Sequence, residues 1–168
     1  MQPLTSLVSV QDIELMLRIT LAFLLGGVIG YERERVQRPA GLRTHMLVAT
    51  GSAAFTIASA YAFAGPGVMR DPTRIAAQIV TGVGFLGAGT IFRTPSTVRG
   101  LTTAASIWLV AAIGMLAGAG LYLLALFSTV LGFGVLYWLR PLRPREHIGE
   151  PSIVAEDDVL RSGEHERP

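Results

Sequence analysis

The stretch TGVGFLGAGTIFR, Thr81 to Arg93, decides how this chain is read. Gly82, Gly84 and Gly87 spell G-x-G-x-x-G, the spacing of a dinucleotide-binding turn. That turn needs a strand before it, a helix after it, and an acidic residue roughly 20 positions on to hold the ribose hydroxyl. None lies there: after Asp71 the next carboxylate is Glu146. The glycines instead sit in Ile75 to Phe92, a run without a single charge. Its length is close to the ~20 apolar residues of a membrane helix. The glycines are therefore read as helix-packing residues, and no nucleotide cofactor is expected.

Composition agrees. Hydrophobic residues make up 51% of the 168 and charged residues 15%, against about 25% charged in an ordinary soluble domain. Mean hydropathy is +0.49. There is no cysteine, so disulfides, thiolate metal sites and a cysteine nucleophile are excluded. Every basic residue is arginine, and a formal charge of +2 gives no case for nucleic acid as a partner.

Working outward, five apolar segments appear: Ile13–Tyr31, Thr44–Ala64, Arg74–Phe92, Leu101–Ala117 and Leu121–Leu139. Each approaches the length that spans a ~30 Å hydrocarbon core at ~1.5 Å per residue. The predicted fold is all-α, a polytopic bundle of five transmembrane helices. AGAG (117–120) leaves room only for a tight hairpin between the last two. Asp12 and Glu14 stand at the start of the first segment, and no basic region precedes it, so it is not read as a secretory signal. Arginines cluster in alternate connections: Arg33, Arg35, Arg38 and Arg43, then Arg93 and Arg99, then Arg140, Arg143 and Arg145. The positive-inside rule places those connections in the cytoplasm, with the N-terminus outside and the C-terminus inside.

In lipid, helices associate through close backbone approach, which small residues permit. Ala77, Thr81, Gly84 and Ala88 form one face of the third helix. Gly26 and Gly30 mark the first helix, Gly114 and Gly118 the fourth, Ser128 and Gly132 the fifth. A tightly packed bundle with little cavity is expected. The stripes pack one protomer's own helices, with a homodimer face as the alternative. An internal echo at an offset of 56 aligns Arg18-Ile19 with Arg74-Ile75, Gly26 with Gly82, Pro39 with Pro95, and Arg43 with Arg99. A duplicated helix pair would leave such a trace.

GGVIGYERE, AGLRTHMLVATGSAAF, DPTRIAAQIVTGVGFLGAGTIF and VRGLTTAASIWLVAAIG, in that order, resemble the membrane domain of the MgtC/SapB family over roughly residues 15–139. The resemblance implies a multi-pass protein of the bacterial inner (plasma) membrane. It further implies a link to magnesium homeostasis, growth at low magnesium and, in pathogens, survival inside phagocytes. The implied partners are other membrane proteins, namely the ATP synthase and P-type magnesium ATPases. Longer members carry a folded cytoplasmic domain after the last helix. Here residues 1–143 are read as the transmembrane domain. Residues 144–168, REHIGEPSIVAEDDVLRSGEHERP from Arg145 on, are read as a polar, disordered tail.

Few residues offer chemistry. His45 is the one intramembrane histidine, read as a hydrogen-bonded interface residue, and no catalytic set surrounds it. An enzyme is not expected. Magnesium prefers oxygen ligands, often carboxylate, so Asp71 is the candidate metal residue. With Arg74 and Gln78 below it, Asp71 forms a candidate outward-facing polar site; the structural reading makes it a helix N-cap before Pro72. Glu32 and Glu34 end the first helix among arginines. They are read as an interfacial salt-bridge cluster or, more sharply, as a polar core in which Glu32 pairs with Arg43 or Arg99. The leading function is regulation through contacts with membrane proteins. The alternative is a transporter or channel for Mg2+ or another cation. Mid-span acidic residues, expected along a magnesium path, are absent from the sequence.

Overall fold

The computed structural model describes residues 9–62, 71–95 and 97–139. The tail from residue 144, the loop around Pro66 and Arg70, and Arg140, Arg143 and Arg145 lie outside the described residues. Five helices follow in order: α1 Val10–Arg35, α2 Leu42–Tyr61, α3 Pro72–Ala88, α4 Leu101–Gly118 and α5 Tyr122–Trp138. Between α3 and α4, two-residue strands β1 (Phe92–Arg93) and β2 (Val98–Arg99) pair antiparallel.

Local chemistry sets the helix ends. Ser9 and Asp12 form a reciprocal capping box that opens α1. Asp71 caps α3, its side chain accepting from the Thr73 amide, with Pro72 following. No side chain of its own first turn caps α2; the Glu34 carboxylate accepts from the Leu42 amide at 2.9 Å instead. Gly100, at φ 91°, opens α4 in the left-handed region. A Cβ there would collide with the Thr90 carbonyl, so only glycine fits. A three-residue turn through Gly120, φ 82°, joins α4 to α5. The threonine hydroxyls of Thr20, Thr50, Thr56, Thr81 and Thr129 all donate to carbonyls four residues back. A polar group in apolar surroundings is satisfied that way within its own helix.

The helices pack through their smallest residues. Ala49 of α2 is fully buried between two neighbours. On one side a Cβ added to Gly26 would lie 2.7 Å from the Ala49 Cβ, and one added to Gly30 2.8 Å from the Leu42 Cα. On the other side Gly114 meets the Ala49 backbone, and a Cβ on Gly118 would lie 2.7 Å from the Ala53 carbonyl oxygen. Ala22, Leu25 and Ile29 of α1, Val110 and Ile113 of α4, and Ala125 and Leu136 of α5 complete this core. A second cluster joins Ile79 and Val83 of α3 to Ile107 and Ala111 of α4.

The structure corrects three expectations. Helix α3 ends at Ala88 rather than Phe92, because the chain turns through Gly89 and Thr90 into the small hairpin. The stripe Ala77, Thr81, Gly84 and Ala88 faces outward: all four are exposed, and a Cβ on Gly84 would meet nothing within 4 Å. The packed face is Ile79, Val83 and Gly87, where larger side chains bury more apolar area. The bundle also has more space than expected. A groove of about 540 Å³ separates α2 from α3, lined by Val48, Gly51, Phe55, Gln78, Ile79 and Gly82 among others.

Large apolar side chains cover the outside, with Phe85 81% exposed and Leu123, Phe127 and Val130 of α5 exposed as well. Among the described residues, α1 and α4 are long and apolar enough to cross a membrane, and α5 is a shorter apolar helix.

Candidate functional site

Polar side chains converge where the end of α1 meets the starts of α2 and α4 and the end of α5. Glu32 and Arg33 are each only 4% exposed. The Arg33 guanidinium donates to Glu32 Oε2 through Nε and forms an ion pair with it through Nη2. Nη2 also reaches the Leu136 carbonyl of α5 at 3.5 Å. Glu32 Oε1 is buried without a hydrogen-bond partner among the described residues. Charges taken out of water are tolerated only when paired, and this carboxylate is neutralised by the neighbour on its own helix. The expectation of Glu32 pairing with Arg43 or Arg99 is therefore corrected: Arg43 and Arg99 are exposed. Glu34 is exposed too, and its carboxylate holds the start of α2.

His45, fully buried, links α2 to α4. Its Nδ1 lies 2.8 Å from the Gly41 carbonyl and its Nε2 3.0 Å from Ser106 Oγ, which donates to the Thr103 carbonyl at 2.8 Å. A carbonyl can only accept, so Nδ1 carries a proton. The Ser106 hydroxyl can donate to Nε2 when the ring is neutral, or accept from Nε2–H and donate to the Thr103 carbonyl when the ring is protonated. Either state of His45 is hydrogen-bonded.

At the opposite end of α1, Arg18 donates to the Gly118 carbonyl at 3.1 Å and pairs with Glu14. It thus covers an orphan carbonyl at the C-terminus of α4, where a cation suits the helix dipole. Its Nε is buried without a partner among the described residues. A cavity of about 240 Å³ beside it is lined also by Thr56, Ser59, Tyr61 and Gly118. Sequence reading missed this residue as a site. The available signal was a basic residue inside an apolar run, four positions after a glutamate.

Asp71, Arg74 and Gln78 are all exposed along α3. Thr73 satisfies Asp71 through both its amide, at 3.0 Å, and its hydroxyl. That hydroxyl bond chiefly holds the Asp71 carboxyl below the usual carboxylate range. Gln78 lines the α2–α3 groove. No group of three or more His, Asp or Glu side chains comes together among the described residues. Arg18 and Arg74, equivalent under the offset of 56, differ in setting: one is paired and largely covered, the other exposed.

A helical protein with apolar side chains outward and paired charges inward is the class these features define, and two of its helices are of spanning length. The family model described as the MgtC family matches residues 19–145, and the chain belongs to that family. It is 50% identical over 127 residues to the "Putative magnesium transporter YhiD" of Escherichia coli (strain K12), covering 73% of this chain and 59% of that protein. It is 53% identical over 121 residues to "Protein MgtC" of Brucella abortus (strain 2308), covering 72% and 49%. It is 50% identical over 115 residues to "Protein MgtC" of Salmonella typhimurium (strain 14028s / SGSC 2262), covering 68% and 48%. The chain thus spans about half the length of these relatives. No solved structure matches it. Family and fold together support a magnesium-related membrane protein.

Proposed function

We propose that this is a five-span protein of the bacterial inner membrane, N-terminus outside and C-terminus cytoplasmic, that serves magnesium homeostasis through contacts with other membrane proteins. The observation that carries this reading is the Glu32–Arg33 pair. The one carboxylate buried in the described helices is held by arginine, which repels a cation rather than guiding it. The outward stripe of α3, with Gly84 open, offers a face on which a neighbouring helix can approach closely. By family resemblance, the ATP synthase and P-type magnesium ATPases are the proposed partners, and a second copy of the chain is another. No enzymatic activity and no bound cofactor are part of this reading.

The second reading, transport of Mg2+ by the protein itself, is favoured by the name of the Escherichia coli relative. Carbonyl-lined paths need no carboxylates, and Asp71 would be its outer ligand. Growth and uptake in a deletion strain separate the two. The contact reading expects the chain to restore growth at low magnesium with no change in the initial rate of magnesium entry. Restored growth that tracks a raised entry rate favours transport.

A further inference from the structure

We propose that the groove between α2 and α3 seats one transmembrane helix of another membrane protein, and that this helix carries an amide or hydroxyl side chain at mid-span. The inference deepens the contact reading of function, on which it rests, by assigning the contact a surface. Within the described helices, a Cβ added to Gly26, Gly30, Gly114, Gly118 or Gly132 would collide with a neighbouring helix. The protein's own packing fills those positions. At Gly51 and Gly82 an added Cβ would meet nothing within 4 Å. Both line the same groove of about 540 Å³, one from α2 and the other from α3. The lining runs from Leu47 to Phe55 and from Ile75 to Leu86, about two turns of α2 and three of α3. Over that length a helix can lay side chains at i, i+3, i+4 and i+7 into a groove, and small residues in the walls let the backbones approach.

Two polar groups in the walls call for that occupant. Ser52 is 3% exposed and stands near the middle of α2, ten residues after Leu42, about 15 Å along the helix. Thr50 and Thr56, on either side of it, each donate to the carbonyl four residues back. The Ser52 hydroxyl makes no hydrogen bond among the described residues, and neither does the Gln78 carboxamide in the opposite wall. A polar group left without a partner is costly in hydrocarbon. An acyl chain fills an apolar groove but brings no donor or acceptor to the middle of the bilayer. A helix with a carboxamide or hydroxyl there supplies both, and such side chains join membrane helices. A second copy fits less well. Two concave grooves cannot fill each other, and a different face of the copy would make a heterologous contact, which closes as a ring or runs on as a filament.

The test is photocrosslinking in intact cells of a deletion strain that expresses the full chain. The photoreactive p-benzoylphenylalanine takes the place of Phe55, an exposed residue of the groove wall. Sequencing of the crosslinked peptides is expected to find an apolar span of another protein, with asparagine, glutamine, serine or threonine at its middle. Gly82→Leu has room in the protomer and should unfold in detergent at the wild-type temperature. It should nonetheless cut the adduct about tenfold, as an overpacked contact does. Gln78→Leu should cut it about threefold, the effect of one interhelical hydrogen bond. The same photoreactive group at Phe127, exposed on α5, should give no such adduct. Gly51→Leu carries the test should Gly82→Leu not fold. An adduct that persists in the leucine variant overturns the site, and so does the same adduct from Phe127. Crosslinks to a second copy alone, or to lipid alone, overturn the proposed occupant. Loss of the adduct with low-magnesium growth intact keeps the site and contradicts the contact reading of function instead.

Discussion

Gly26 of α1 and Ala49 of α2 approach so closely that a Cβ on Gly26 would lie 2.7 Å from that of Ala49, while the Gly26 position also faces the His45 carbonyl at 2.8 Å. Backbone cannot yield as a flexible side chain does. Gly26→Leu is therefore expected to destabilise the protein by at least the ~1–3 kcal/mol typical of overpacking. Gly84→Leu, on an open surface, should leave the isolated protomer nearly unchanged. Thermal unfolding of the two variants in detergent makes the comparison. Equal losses would contradict the outward placement of the α3 stripe.

The Glu32–Arg33 pair is buried on both sides. Arg33→Met strands a carboxylate that already has one oxygen unpartnered among the described residues. A loss of about 3–5 kcal/mol is expected, the usual cost of breaking a buried pair from one side. Adding Glu32→Gln should recover much of it, because the stranded charge is gone. A double-mutant cycle on chemical unfolding measures this coupling. Additive losses would show that the two side chains do not depend on each other.

Asp71 separates capping from charge. Asparagine is an equally good N-cap, whereas alanine is not. Asp71→Asn should keep normal abundance and low-magnesium growth, while Asp71→Ala should lower abundance. The pH dependence follows from the lowered pKa. A carboxyl whose folded pKa lies below its unfolded value adds stability above the ordinary carboxylate range, and that stability is lost as pH falls through the folded value. The Asn variant should lose that share of the acid sensitivity. Asp12, held low by Ser9 in the same way, remains in both proteins, so the difference between them isolates Asp71. Identical acid unfolding of the two would contradict the assignment.

Topology is checked by reporters. A fusion after Arg145 should be cytoplasmic and one near Pro66 periplasmic. Both on one side would contradict five spans.

Four of the five helices were legible in the sequence because an apolar run of spanning length and a local stop signal coincide. The end of α3 was not. Thr90–Phe92 continues the apolar run, and only the turn and the pairing of Phe92 with Arg99 reveal a hairpin. The stripe on α3 was read from small residues alone, but which face of a helix packs depends on its neighbours. Ile79 and Val83 met α4 instead. The polar cluster was half legible. Glu32 stood out as a charge near the membrane, yet its partner is the adjacent residue, a spacing at which side chains on a helix normally diverge. Residues 45, 103 and 106 come together only once α2 lies along α4.

On the proposed function the protein does not itself carry magnesium. The most direct measurement is flux of labelled Mg2+ into liposomes holding the purified chain. Flux indistinguishable from protein-free liposomes, with insertion verified, is the predicted result. Saturable flux that Asp71→Asn reduces would contradict the account and make the protein a transporter.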